Sequence, residues 1–357
     1  MNEARAFHLS TSLRVLLWIF LALWLLLAIF PLLWIWVMSF KLPIDAFSAD
    51  PRTVIIGSTT REAVGGLSVL GMLIVGALLV GAFLVQQRRH LPTILWIALF
   101  ILAAIMLPSA LRVVDNIFSA LLPTLTKPLV GFTGQHYHAV WVENTFYHQF
   151  INSIMITAGV VCFSLVLGTT AGYALARTRS SVAFWLLAAA LIFRALPHSV
   201  LVSGYLQPFI DYGLYGKHIA VIIVLAAINQ PFTIWMLRSF FASIPAELDE
   251  AALVDGCTRL EAFWRVIMPV MWPGVITTGL FSFLLAYNDY LVTSLLLDAH
   301  SMTMVPSITQ YFNRETTMTD QVEAIAAAIS ITAPLFVLVM LFQKQIVSGL
   351  VQGAVKG

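Results

Sequence analysis

Glu250-Ala251-Ala252-Leu253-Val254-Asp255-Gly256, followed by Val266-Ile267-Met268-Pro269, is the long polar, amphipathic stretch of a chain that is otherwise mostly apolar. Pro245 stands where a helix tolerates a missing N–H, and Glu247, Asp249 and Glu250 suit the positive end of a helix beginning there. Leu253, Leu260 and Trp264 recur at helical spacing and predict one apolar stripe. Gly256 interrupts the pattern, so two short helical pieces with a bend between them are expected. Pro269 opens the next apolar run, a place compatible with a first helical turn. A short bent helix between two apolar runs is the reading from which the rest follows.

Composition says what those runs are. Of 357 residues, 60% are hydrophobic and 10% charged, and the mean hydropathy is +0.92, whereas a soluble domain carries about 25% charged residues. This places the chain in the polytopic membrane class. A net charge of +2 is too small to suggest a nucleic-acid partner. Cys162 and Cys257 fall in a predicted span and in the amphipathic stretch and make no disulfide framework. The first apolar run follows Arg5 and Arg14, is longer than a signal-peptide core and lacks a small-residue cleavage site, which predicts a retained span.

Eight candidate spans are read along the chain, at 15–40, 63–87, 91–111, 149–176, 180–204, 219–237, 269–297 and 324–343. All should be α-helices, because backbone polar groups in lipid must be satisfied within their own segment. Pro31 predicts a kink in the first, the glycines of 63–87 suit close packing in lipid, and Gln207-Pro208 reads as an interfacial break. With the N-terminus inside, the short connections holding Arg88-Arg89 and Arg177/Arg179 are cytoplasmic, as are Arg238, Arg259, Arg265, Lys344 and Lys356. Lys41, Arg52, Arg61, Arg112, Lys127, Lys217 and Arg314 then lie outside. The bias puts both termini and the bent helix in the cytoplasm.

The stretch resembles the EAA loop of ABC importer permeases, whose pattern is Glu-Ala-Ala, three residues, Gly, nine residues, Ile-x-Leu-Pro. Glu250, Ala251, Ala252, Gly256 and Pro269 match it, and Val266 and Met268 stand for the Ile and Leu. The likeness extends to Ser39-Phe40-Lys41, to Gln135-His136-Tyr137 with Trp141, and to Phe150-Ile151-Asn152-Ser153. It also takes in Phe281-Ser282-Phe283 with Tyr287-Asn288-Asp289-Tyr290, and the small-residue tail 349–357. It covers about residues 1–50 and 132–357 and is similar to the carbohydrate, maltose-type subfamily. It implies an all-α MetI-like fold of six core helices, here with an inserted two-helix hairpin. The expected organisation is a first helix within 1–56, an insertion at 57–131, a core at 132–345 with its coupling loop at 243–269, and a tail at 346–357. The insertion is read as a peripheral hairpin packed against lipid, or as a contact surface for a protein or lipid.

What the resemblance implies for function is a transport subunit, not an enzyme, in a bacterial or archaeal cytoplasmic membrane. It imports a sugar, oligosaccharide or polyol. The implied partners are a second similar permease, two ATPase subunits and an extracytoplasmic solute-binding protein, beside membrane lipid. Glu250, Ala251, Ala252, Asp255, Gly256 and Pro269 would couple to the ATPase, and Gln352, Gly353 and Lys356 of the tail would reach between the ATPase subunits. ATP and Mg would be held by those partners and no cofactor by this chain, which has no phosphate-binding loop. The Ala-Ala pair would let another chain approach closely.

Ionisable groups within spans are candidates for a solute path. Asn288 and Asp289 can accept sugar hydroxyls, flanked by Tyr287 and Tyr290. Equally, Asp289 can pair with a cation or sit at the outer interface. Arg194, before Leu196-Pro197-His198, can bond freed carbonyls or solute, or form an ion pair with Asp289 or a partner subunit. His136, His138 and His148 are expected to be exposed loop histidines and not a metal site. A rival reading, an ion-coupled secondary transporter, needs a coupling-ion site at Asp289 and Arg194 and two inverted halves, and no internal repeat is visible.

Overall fold

The computed structural model describes residues 11–89, 92–178, 180–194, 198–313 and 317–354. In chain order its elements are α1 (Thr11–Met38), α2 (Pro43–Ala46), α3 (Pro51–Ile56), α4 (Ser58–Ala63), β1 (Gly66–Ser68), α5 (Val69–Arg89), α6 (Thr93–Phe118), β2 (Pro128–Gly131) and α7 (Gln135–His138). After a π-helical turn at Ala139–Glu143 come α8 (Tyr147–Arg177), α9 (Ser181–Arg194), α10 (His198–Asp211), α11 (His218–Phe241), α12 (Glu247–Val254) and α13 (Arg259–Ala262). A second π-helical turn, Phe263–Ile267, leads to α14 (Met268–Tyr287), α15 (Leu291–Leu296), α16 (Met304–Asn313) and α17 (Met318–Ala354).

By length and composition, Ser12–Met38, Val69–Gln86, Tyr147–Arg177, His218–Phe241, Arg259–Tyr287 and Met318–Gln345 can each cross a membrane. The 26-residue α6 reaches about 39 Å, more than the ~30 Å of hydrocarbon. Three expected spans are redrawn. The run 63–87 starts only at Val69, because Gly66–Ser68 pairs antiparallel with β2. The run 180–204 becomes α9 and α10, with Pro197 outside the described residues. α10 then continues through Gln207 and Pro208 to Asp211, so no break falls there. Proline forfeits one backbone bond, and the Gln207 amide donates to Asp211 at 2.8 Å one turn on. The run 269–297 stops at Tyr287, and a turn at 288–290 precedes α15.

The chain forms two compact units. One holds the described residues up to Asn144 together with Tyr311–Ser330. Its apolar centre is Met38, Ala46, Val54 and Val322, with Trp34 and Ile325 against them. The insertion is anchored here. Lys41 is 2% exposed, and its ammonium donates to the Gly131 carbonyl at 2.5 Å. Burial pulls that ammonium down to about 8 against a nearby Asp45 that favours its charge. Burial alone would raise Asp45, but bonds from the Thr60 and Thr59 N–H groups and the Thr60 hydroxyl outweigh it and hold the carboxyl below its usual range. His136 Nε2 donates to the Lys41 carbonyl at 3.0 Å, and Phe40 stacks on Phe132 and Tyr137. So His136 is not the exposed loop residue expected. It is buried at 1% exposure, because it satisfies a backbone carbonyl that the turn after α1 leaves open. His138 is exposed and lies 3.2 Å from Glu143.

The second unit holds Thr145–Gln310 and the described residues from Ile331. Here α8, α11 and α14 pack on one another. A Cβ on Gly168 would stand 2.5 Å from Thr233 Cγ2, so the α8–α11 approach requires the missing side chain. Two apolar clusters flank this contact. One is built on Ile156, Val160, Val221 and Leu296, the other on Leu237, Phe241, Phe263 and Ile267. Between them the buried Asn229 amide donates to Ser282 at 2.6 Å and Ser164 at 3.4 Å, tying all three helices together. Asn152 donates to the carbonyls of His300 and Met302, and Ser153 accepts from Met304 N–H, which fastens the 298–303 turn to the start of α8.

Candidate functional site

The stretch 243–269 folds as an elbow whose two arms are locked by local bonds. The first turn of α12 carries Glu247, Asp249 and Glu250, favourable against its exposed N–H groups. At its end Gly256 has φ +87°. Gly256 N–H donates to the Leu253 carbonyl at 3.1 Å and Cys257 N–H to the Ala252 carbonyl at 3.0 Å, the 5→2 and 6→1 bonds of a left-handed helix cap. Thr258 and Glu261 then cap α13 reciprocally, through Thr258 N–H to Glu261 at 2.9 Å and Glu261 N–H to Thr258 at 3.3 Å. The bend at Gly256 is thus a defined turn between two capped helices. Pro269 lies in the first turn of α14, as expected.

The elbow has two faces. Ala252, Ala262, Phe263 and Ile267 are buried, and Phe263 and Ile267 join the cluster around Leu237 and Phe241. The predicted stripe Leu253, Leu260 and Trp264 does not face this core. It is exposed, at 43%, 68% and 55%, beside Val254 at 87%. Nor do the two alanines act together. Ala252 packs into its own chain, while Ala251 is exposed with Glu250, Asp255 and Gly256. The reason is the offset between neighbouring positions on a helix, which turns only one of an adjacent pair inward.

Sequence reading missed the polar grip behind the elbow. Arg177 Nε donates to Asp249 Oδ2 at 2.7 Å, and the Tyr173 hydroxyl donates to Oδ1 at 2.5 Å. Arg177 Nη1 also donates to the carbonyls of Phe241 and Ile244, at 3.3 and 3.2 Å. The only signal in the sequence is the spacing of Tyr173 and Arg177, one helical turn apart at the end of an apolar run.

The candidate path residues are dispersed into separate structural roles. Tyr287 is 1% exposed, donates to the Ile331 carbonyl at 2.8 Å and stacks on Phe283. Asn288 donates to the Leu284 carbonyl and Asp289 accepts from Thr293 N–H, closing the turn between α14 and α15. Tyr290 is exposed. Arg194 ends α9 with its guanidinium 4.9 Å from the Phe232 ring centroid, a cation–π contact. Its Nε has no hydrogen-bond partner among the described residues. Gln352 and Gly353 belong to the end of α17. Lys356, like Arg179 and Arg314, lies outside the described residues.

Residues 164–352 match the family described as binding-protein-dependent transport system inner membrane component. The diacetylchitobiose uptake system permease protein DasC of Streptomyces coelicolor is 34% identical over 227 residues, 63% of this chain and 81% of the relative. The trehalose transport system permease protein SugB of Mycobacterium tuberculosis is 34% identical over 63% of this chain and 82% of its own length. The trehalose/maltose transport system permease protein MalG of Thermococcus litoralis is 31% identical over 65% and 85%. Among solved structures, a chain of a bacterial ABC transporter involved in the import of the acidic polysaccharide alginate superposes with a TM-score of 0.51. It is 23% identical, with 70% of this chain and 96% of that chain covered, a likeness of fold. With helices that can cross a membrane and a match over more than half its length, the chain belongs to the family of inner-membrane components of binding-protein-dependent transport systems.

Proposed function

We propose that this chain is the carbohydrate-conducting transmembrane subunit of an ATP-driven importer, and that 243–269 is its coupling segment to an ATPase. The observation that carries the proposal is the two-faced elbow. One face is gripped by the chain's own helices, while Leu253, Val254, Leu260 and Trp264 present an apolar surface that is left exposed among the described residues. An exposed apolar patch with the exposed Glu250, Asp255, Arg259 and Arg265 beside it in sequence suits a protein partner. ATP and Mg would act in that partner. The sugar class follows from the names of the relatives, which take up diacetylchitobiose and trehalose. A second permease would complete the path. A solute-binding protein would dock on 41–62, 112–148, 205–218 and 298–323, with the elbow and both termini on the cytoplasmic side.

Cys257 provides the test, in a Cys162→Ser background. A membrane-impermeant thiol reagent should reach Cys257 from the cytoplasmic side alone, and the assembled ATPase should shield it. Val254→Asp, which puts a charge on the exposed face, should abolish the shielding and the co-purification of the ATPase while leaving membrane insertion intact. Labelling from the outer side, or solute uptake by the purified chain with no nucleotide-hydrolysing subunit, would overturn the reading.

A further inference from the structure

The grip behind the elbow does work that the exposed face cannot. Tyr173 and Arg177 sit on the final turns of α8 and close on the two oxygens of one carboxylate, Asp249, at 2.5 and 2.7 Å. The same guanidinium holds the carbonyls of Phe241, at the end of α11, and Ile244, in the turn after it. Arg177 and Asp249 side chains are only 21% and 15% exposed, so these charge-assisted bonds are little screened. The Tyr173 ring also meets Phe241 and, on the elbow past its bend, Phe263, with centroids at 5.5 and 4.9 Å. Within α12 the one buried apolar side chain is Ala252. A single methyl can slide over its neighbours, whereas a carboxylate held at both oxygens cannot. Arg177 Nη2 is buried without a hydrogen-bond partner among the described residues.

We infer that Arg177, Asp249 and Tyr173 form the joint that passes displacement of the coupling segment into α8, with Arg177 carrying it also to the end of α11. They are positioning residues, lying behind the exposed face and not on it. The inference rests on the coupling role proposed above and names the residues through which that role is exerted.

The test uses the full transporter in proteoliposomes, with Asp249→Asn, Asp249→Glu, Arg177→Met and Tyr173→Phe. The ATPase should co-purify with every variant. Solute imported per ATP hydrolysed should fall about tenfold in Asp249→Asn and Arg177→Met. It should fall less in Tyr173→Phe and be largely restored in Asp249→Glu, which keeps the charge. A docking or folding role would instead lower ATPase retention and import together at a constant ratio. That result, or an unchanged ratio in all four variants, overturns the joint. Should Arg177→Met fail to accumulate, Tyr173→Phe, which removes one hydroxyl, decides by the same ratio. A wild-type chain that retains no ATPase overturns the coupling role and the joint with it, whereas the other outcomes sink the joint alone.

Discussion

Gly256 and Gly168 are both required, for opposite reasons. At Gly256 a Cβ would meet nothing within 4 Å, but φ is +87°. The demand is conformational, and a side chain there costs about 1–2 kcal/mol. Gly256→Ala should therefore leave insertion and expression unchanged and loosen only the elbow, seen as faster amide exchange at 255–258. At Gly168 the backbone is ordinary helix and the demand is for space, with Thr233 Cγ2 at 2.5 Å. Asn229, by contrast, gives two interhelical hydrogen bonds, one of them long at 3.4 Å, and such bonds in membranes average about 0.6 kcal/mol each. Close packing outweighs them. Gly168→Val should reduce the folded protein recovered from membranes by more than Asn229→Ala, and a larger loss in the asparagine variant would refute that ranking.

Among the elements, the turn after α1 is held by two buried bases, and its stability should depend on pH. Burial lowers His136 below its ordinary 6.5, against the opposing pull of its bond to the Lys41 carbonyl. A depressed base disfavours the folded state wherever the unfolded chain is protonated and the folded one is not. The contribution of His136 is present above pH 6.5 and is lost as pH falls below it. For Lys41 the corresponding window runs from 10.5 down to about 8. The detergent-solubilised protein should therefore melt at lower temperature as pH drops from 7.5 to 5.5. His136→Gln should flatten that limb, and an equal slope in the variant would count against the assignment. None of this was legible beforehand. His136 and Lys41 read as loop residues because their partners lie 95 and 90 positions away in the chain.

At the scale of the whole molecule, the insertion is closed at its base. Gly66 pairs with Gly131 across the β1–β2 ladder, and paired residues stand roughly 5 Å apart. Residues 67–130 can then be excised and their ends joined by a two-residue linker without moving Lys41 or Gly131. Because the excised part carries α5 and α6, everything after it should keep its side of the membrane. The shortened chain should still insert and retain the proposed ATPase partner, and its loss from the membrane would show that the hairpin is part of the folding unit. α1 makes the complementary point. Its residues from Ser12 to Leu33 are all exposed among the described residues, an apolar surface suited to lipid.

Residue order by itself determined the membrane class, the helical runs and the bend at Gly256. Each depends on local composition, on a period of 3.6, or on the backbone freedom of one glycine. Tertiary structure decided which side of the elbow is gripped and which is left bare. It also turned Tyr287 to the Ile331 carbonyl, buried His136, and brought Arg177 to Asp249 across 72 positions of sequence. Those outcomes depend on hydrogen-bond partners and packing neighbours that are distant in the chain, and no local pattern of residues encodes them.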